Sequence, residues 1–325
     1  MGVKKRHAAK GLGLLVVVLL IGAGVVVGWK VANDRDVARE NQYPLLDPSV
    51  SNPNLHQEII AFDPLRQDLK QYLASVGLSH SLYFEYLPNG VNIRDGADTS
   101  SIAASLMKVP VVMDLYKLAE NGKISLDKKV TVQSKDISTD SDYGDPTNLK
   151  PGDQLTLRQA AKITLQDSDN TTLNVVKDAV VPLIDNSTDS IQSLDVTYDL
   201  SGTTPGNEQV SISSRSYASI LKCLYYACFN SPTDSTQMLK DMMGSVEQNR
   251  LMAGVGQGIR VAHKVGSSQS SQSDCGIVYY PAKPYLVCLM FLNLNGSNSG
   301  SSVDQYFQKV SQIIYNYVST SGSSM

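Results

Sequence analysis

A chain of 325 residues suits one large domain or two small ones, and 42% hydrophobic against 18% charged residues supplies a sizeable core rather than wholesale disorder. The net charge of −3 hides an asymmetry: residues 1–29 carry Lys4, Lys5, Arg6 and Lys10 and no acid, which leaves 24 basic against 31 acidic residues, a net of −7, in the remainder. That balance excludes a nucleic-acid partner, which needs a basic footprint. With four His (His7, His56, His80, His263) and four Cys that form no C-x-x-C, a Cys/His zinc site is disfavoured and no cofactor is expected.

In chain order, residues 1–10 form a basic tail expected in the cytoplasm. Residues 11–29, GLGLLVVVLLIGAGVVVGW, carry no charge and approach the roughly 20 residues that span a hydrocarbon core. The basic flank before the run predicts that the rest of the chain crosses the membrane. A cleaved signal peptide is the alternative, but the run is long for one and no clean A-x-A site lies near its end. The expected location is the cell membrane, single-pass, with the C-terminal domain extracytoplasmic. Residues 30–56, with Pro44, Pro48 and Pro53, read as a linker.

Residues 57–318 hold the predicted domain. An amphipathic helix over 57–75 has Pro64 near its start or breaking it. Strands over 81–87 and 91–94 flank Pro88-Asn89-Gly90, a hairpin signal. A long apolar helix over 105–120 ends at Asn121-Gly122. Further helices are predicted over 159–166, 172–180, 214–229 and 235–243. Strands follow over 260–265, 274–280 and 285–294, the last two joined through Pro281-Ala282-Lys283-Pro284. A helix over 303–318 closes the domain and 319–325 is a polar tail. Hairpins without βαβ crossovers predict an α+β fold: a five-stranded antiparallel sheet flanked by helices, plus an all-helical part. Gly254-Val255-Gly256-Gln257-Gly258 reads as a loop before a strand, not a phosphate cradle.

The chemistry lies in three short motifs. In Ser105-Leu106-Met107-Lys108 the i,i+3 spacing puts the amine and the hydroxyl on one helix face. A serine is a weak nucleophile until a base takes its proton, and a lysine can be that base if burial or a nearby cation lowers its pKa. Ser125-Leu126-Asp127-Lys128 and Ser219-Ile220-Leu221-Lys222 repeat the spacing, and a single S-x-x-K is usually a polar helix face. Only the first opens a helix that is apolar nearly all round. Ser168-Asp169-Asn170 follows 63 residues after Ser105, between two helical patterns, where a plain N-cap is the simpler reading. Lys264-Val265-Gly266 comes 96 residues after Ser168 on the first of the final strands. Each motif is weak alone; the ordered set is not.

S-x-x-K, S-D-N and K-T-G in this order are the signature of class A β-lactamases and penicillin-binding proteins, and the chain resembles that superfamily over essentially its whole predicted domain. Gly202-Thr203-Thr204-Pro205 resembles the turn that follows the family's omega loop, and residues 260–264 resemble the strand that carries the third motif. The resemblance implies an acyl-enzyme on Ser105, with Lys108 as base or organiser of the base. Ser168 would relay a proton to the leaving nitrogen and Asn170 would bind the substrate's amide. Lys264 would hold the substrate carboxylate and tune Ser168. Backbone N–H groups of Ser105 and Ser267 would form the oxyanion hole, with Gly266 beside them. Tyr143 would line the cleft. Expected partners are a β-lactam or a peptidoglycan stem peptide ending like D-Ala-D-Ala, and a monomeric ectodomain is expected. The alternatives are a DD-peptidase of low activity and a non-catalytic wall-binding domain.

Two positions depart from the family pattern. Residues 171–202 contain Asp178, Asp185, Asp189, Asp195 and Asp199 but no Glu, the residue that activates the deacylating water in class A enzymes. Val265 replaces a Thr or Ser whose hydroxyl would meet the substrate carboxylate; Ser267 or Ser268 could compensate. Among the remaining residues, His263 alternates with Lys264 and is expected on the opposite face of the strand as a structural residue, and His80 has no obvious partner. Cys275 and Cys288 fall nearly opposite across the Pro281–Pro284 turn, so a disulfide is open to them. Cys223 and Cys228, about 140° apart on one helix, are not expected to pair.

Overall fold

The structure is a computed structural model that describes residues 45, 61–138, 147–184, 191, 203–204, 207–208, 210–295 and 300–321. The basic tail, the apolar run over 11–29, most of the linker, Tyr143, and Asp185, Asp189, Asp195 and Asp199 lie outside the described residues. Among the described residues no helix is long and apolar enough to cross a membrane.

Five strands make one antiparallel sheet: β1 (His80–Tyr86), β2 (Val91–Asp95), β9 (Val261–Ser267), β10 (Gln272–Val278) and β11 (Tyr285–Phe291), in the order β2-β1-β11-β10-β9. Helix α1 (Asp63–Val76) and the last helix, α7 (Asp304–Thr320), cover one face. The strands supply every second residue to this core: Leu82, Phe84 and Tyr86 from β1, and Tyr285, Val287, Leu289 and Phe291 from β11. Leu65, Leu69 and Leu73 of α1, spaced by four, meet Phe307, Val310, Ile314 and Val318 of α7 across it. Each such side chain contributes about 1.5–3 kcal/mol by leaving water. Helix α5 (Ser214–Tyr225) packs on the other face.

The helical part is α2 (Lys108–Glu120), α3 (Leu157–Gln166), α4 (Asn170–Val180) and α6 (Pro232–Met243). Its boundaries are set by caps that the sequence displays. Thr156 and Gln159 form a reciprocal capping box at the start of α3, Asp169 caps α4 and Ser231 caps α6 ahead of a first-turn Pro232. Three further strand pairs went unread: β3 (Ser100–Ile102) with β8 (Ser211–Ser213), β4 (Lys129–Thr131) with β5 (Gln154–Thr156), and β6 (Thr203–Thr204) with β7 (Asn207–Glu208). At two or three residues each they are too short to carry a periodicity.

Five expectations need correction. The first helix begins at Asp63, because Pro64 belongs in a first turn and not in a helix interior. The helix expected over 105–120 is a 3₁₀ turn, Ala104–Met107, that passes into α2 at Lys108. The helix expected to reach 229 stops at Tyr225. Its end is a Schellman motif: the Cys228 N–H donates to the Cys223 carbonyl (2.9 Å) and the Ala227 N–H to the Leu224 carbonyl (3.3 Å), with Ala227 left-handed at φ 51°. The reversal returns Cys228 over Cys223, so the two are disulfide-bonded with Cα atoms 5.0 Å apart; the helical-wheel angle fails because Cys228 is not in the helix. Finally, His80 has partners, the Asp95 carboxylate at 3.2 Å and the Leu78 carbonyl at 3.0 Å. Cys275 and Cys288 are register partners on β10 and β11 and form a second disulfide.

Ala227 occupies the position that favours glycine, at a cost of roughly 1 kcal/mol in backbone sterics. Ala227→Gly is expected to raise the melting temperature by about 1–4 °C in calorimetry; a lower melting temperature would show that the closed loop already relieves the strain.

Candidate active site

Ser105 sits in the 3₁₀ turn. At three residues per turn, positions i and i+3 eclipse, so the Lys108 side chain returns directly over the serine, with Nζ 2.8 Å from Ser105 Oγ. Ser105 is half-buried, whereas Lys108 is buried. Ala104, in the left-handed region at φ 46°, turns the chain into this segment. The Ala103 N–H donates to the Val210 carbonyl (2.7 Å) and Ser271 Oγ to the Ile102 carbonyl (3.1 Å), which fixes the turn between its neighbours.

Ser168 arrives from the helical part. Helix α3 ends at Gln166 and Asp169 starts α4, leaving Ser168 at the break with φ 58°. Asp169 uses Oδ1 to accept from the Thr172 N–H (2.6 Å) and Oδ2 to accept from Thr147 N–H and Oγ (3.2 and 3.0 Å). The capping reading of this motif therefore holds at Asp169, and the residue before it, Ser168, is the one that meets Lys108 and Lys264. Non-glycine residues in this backbone region cost about 1–3 kcal/mol each and persist where surrounding structure over-determines them.

Lys264 points from β9, the edge strand, onto the face that carries Cys275; His263 points the other way, where its Nδ1 meets Asp274 at 2.9 Å. Gly266 lets β9 approach the serine turn. A Cβ there would lie 2.9 Å from the Ala103 carbonyl oxygen, 2.5 Å from Ser273 Oγ and 3.0 Å from Leu106 Cγ. Ser267, the last residue of β9, is half-buried beside this contact, and Asn170, the first residue of α4, is half-buried next to Ser168.

These elements converge on one hydroxyl. Ser168 Oγ accepts from Lys108 Nζ at 3.1 Å and from Lys264 Nζ at 2.8 Å, and the Ser168 carbonyl accepts from Lys108 at 2.5 Å. A hydroxyl offers two acceptor sites and one proton, so the Ser168 O–H is left to donate elsewhere. A Lys108 that has lost one proton is placed to take the Ser105 proton. Lys264 has no exposed surface; burial lowers its pKa from 10.5 to about 8, Glu247 and Asp274 oppose that shift, and Arg250 adds to it.

Two other S-x-x-K runs are placed elsewhere. Ser219 bonds the Arg215 carbonyl while Lys222 pairs with Glu85, and Ser125 caps a local turn through the Asp127 N–H. Asp178, one of the carboxylates between the second motif and Gly202, is ion-paired with Lys135 on the surface. Sequence reasoning missed Arg250. It lies before β9 and is buried, with its guanidinium bonded to the Gly266 and Ser273 carbonyls, Ser267, Gln272 and Asp304. An arginine in a turn carries no periodic signal, and only the fold reveals its neighbours.

Fold and site define a class: an α+β protein in which a serine on a short turn, at the junction of a sheet edge and a helical part, faces two buried lysines. The chain belongs to the beta-lactamase enzyme family, whose profile matches residues 64–318. No curated protein matches it. Among solved structures it is similar to a PBP-A mutant in an acyl-enzyme complex with penicillin G (24% identity, 82% of this chain and 99% of that one, TM-score 0.68). It is also similar to a β-lactamase from Chitinophaga pinensis (18% identity, 78% and 99%, TM-score 0.68) and to the TLA-3 extended-spectrum β-lactamase (18% identity, 79% and 99%, TM-score 0.68). At these identities the likeness establishes the fold.

The Lys264 shift makes a test of the site that needs no substrate. Between about 8 and 10.5 the unfolded chain holds a proton that the folded chain has released, so stability from this group rises with pH. Denaturant unfolding of wild type and Lys264→Met is expected to diverge in favour of wild type from about pH 8 to about pH 10. A difference independent of pH would place the Lys264 pKa at its ordinary value.

Proposed function

We propose that the protein is a membrane-tethered serine hydrolase that forms an acyl-enzyme on Ser105 with β-lactams or D-Ala-D-Ala-like peptides, and that it deacylates slowly. The observation that carries this reading is the unbroken hydrogen-bonded chain Ser105–Lys108–Ser168–Lys264, which joins all three motifs. In the acylation step Lys108 takes the Ser105 proton while Oγ attacks the amide carbon. The oxyanion is held by backbone N–H groups of Ser105 and Ser267. The Ser168 hydroxyl passes a proton to the leaving nitrogen and receives from Lys108 the one drawn from Ser105, while Lys264 keeps its charge, attracts the substrate carboxylate and tunes Ser168. Asn170 holds the acyl side chain's amide. The penicillin G acyl-enzyme formed by the PBP-A mutant supports the same chemistry in this chain.

Slow deacylation rests on what residues 171–202 contain. No Glu is present, and Asp178 is engaged on the surface by Lys135. An aspartate side chain is one methylene shorter than the family's glutamate, and about 1 Å of misplacement can cost on the order of 10²-fold in rate. The apolar run over 11–29 supports a tether that keeps the cleft on the peptidoglycan side of the membrane.

Ser105→Ala is expected to abolish labelling by a fluorescent penicillin on a gel, while Ser125→Ala and Ser219→Ala retain it. Lys108→Ala should slow labelling by about 10²–10⁴-fold, the usual worth of a general base. Undiminished labelling of the Ser105 variant would remove the assignment. In steady-state hydrolysis of a chromogenic cephalosporin, a stoichiometric burst followed by a slow phase is expected; rapid linear turnover would point to a working deacylating base.

A further inference from the structure

Leu45 belongs to the stretch whose composition marks a linker, yet only 1% of it is exposed. Its carbonyl accepts from the Tyr279 hydroxyl at 2.6 Å. Tyr279 is itself held in place. Its N–H donates to the Arg260 carbonyl (2.9 Å), its ring lies against Tyr225 with centroids 6.3 Å apart, and the Arg260 guanidinium stands 5.8 Å from the ring. Burial pushes the Tyr279 phenol above its usual pKa of 10.0, against the opposing charge of Arg260, so it keeps its proton and stays the donor. A free linker would leave the leucine in water; full burial of such a side chain shifts an open–closed equilibrium by about 10–100-fold.

The attachment lies at the end of β10 remote from the site. Gly266, which meets the serine turn, pairs with Ser273 of β10. Tyr279 comes six residues later, about 20 Å further at the rise of a strand. The chain before Leu45 therefore leaves the domain from the end of the sheet opposite the cleft. Leu45 is 16 residues past Trp29, the end of the apolar run, whereas Ala61 is 32 past it. A fully extended chain spans about 55 Å over the first interval and about 110 Å over the second, so attachment at Leu45 halves the reach of the domain.

We propose that Leu45 is a clip: docked on Tyr279, it fixes the linker to the end of the domain opposite the cleft, so that the tether holds the cleft turned away from the membrane. The orienting role rests on the tether reading above; the docking does not.

Two measurements on the full chain test the two parts separately. The first is the rate at which endoproteinase Asp-N cuts the Leu46–Asp47 bond, divided by the rate for the matching free peptide. Relative to wild type, Leu45→Gln should raise it by about 10–100-fold and Tyr279→Phe, which loses one hydrogen bond, by about 2–10-fold. Unchanged rates in both variants overturn the docking. The second uses a donor dye on Ala282→Cys or on Gln269→Cys, in the turns at the two ends of β10, with the four native cysteines left in their disulfides. The protein is reconstituted into phosphatidylcholine vesicles that carry an acceptor-labelled lipid. The Ala282 dye should transfer energy more efficiently than the Gln269 dye, and adding Leu45→Gln should cut that difference at least by half. Equal transfer from the two positions overturns the orienting role. A protein that does not float with the vesicles refutes the tether reading and the orienting role together, while the cleavage rates still decide the docking.

Discussion

Two lysine ammonium groups are buried around a single hydroxyl. Lys108 comes from the first residue of a helix, Lys264 from an edge strand, and both donate to Ser168 Oγ, which is left with one proton to give. Removing a cation from water is costly, and placing two near each other adds to the cost. The cost is offset by hydrogen bonds: Lys108 donates to Ser105 and Ser168, and Lys264 to Ser168 and the Val265 carbonyl. Burial also brings the Lys264 pKa down to about 8 from 10.5, so the charge of this lysine changes with pH just above neutrality.

Much of the rest of the fold can be understood from that constraint. The hydroxyl must come from a chain reversal between two helices, and Ser168 accordingly adopts a left-handed conformation between α3 and α4. The serine turn must lie against β9, and Gly266 is the residue that allows it. The edge of β9 must not move, and Arg250 ties it to β10 and to the first residue of α7. The large apolar core between the sheet and α1 and α7 lies on the opposite face from Lys264, so packing energy is gathered away from the polar site. Stability lost to strained backbone at Ala104 and Ser168 is thereby offset at a distance.

The fold was legible where a signal repeats. The strands β1, β10 and β11, buried on both faces and bounded by turn residues, and the capped helices α3, α4 and α6 fall within a few residues of their expected positions, because turn residues and first-turn caps act locally. The site was legible for a different reason: three motifs that are each unremarkable become specific as an ordered set. What escaped reading depends on the reversal of the chain. Cys228 meets Cys223 only because the helix ends three residues before it, and Arg250 meets Ser267 only after β9 and β10 are paired. The 3₁₀ turn at Ser105 also escaped, since its apolar pattern continues into α2 without a break.

The central claim is that this hydrogen-bonded chain makes Ser105 a nucleophile whose ester outlasts its formation. Intact-protein mass spectrometry of the full chain mixed with benzylpenicillin, sampled from seconds to an hour and followed by peptide mapping, tests it most directly. The account predicts one adduct with the full mass of the penicillin, located on Ser105 and persisting for minutes or longer. An unmodified protein at every time point, or an adduct on any other serine, would contradict it.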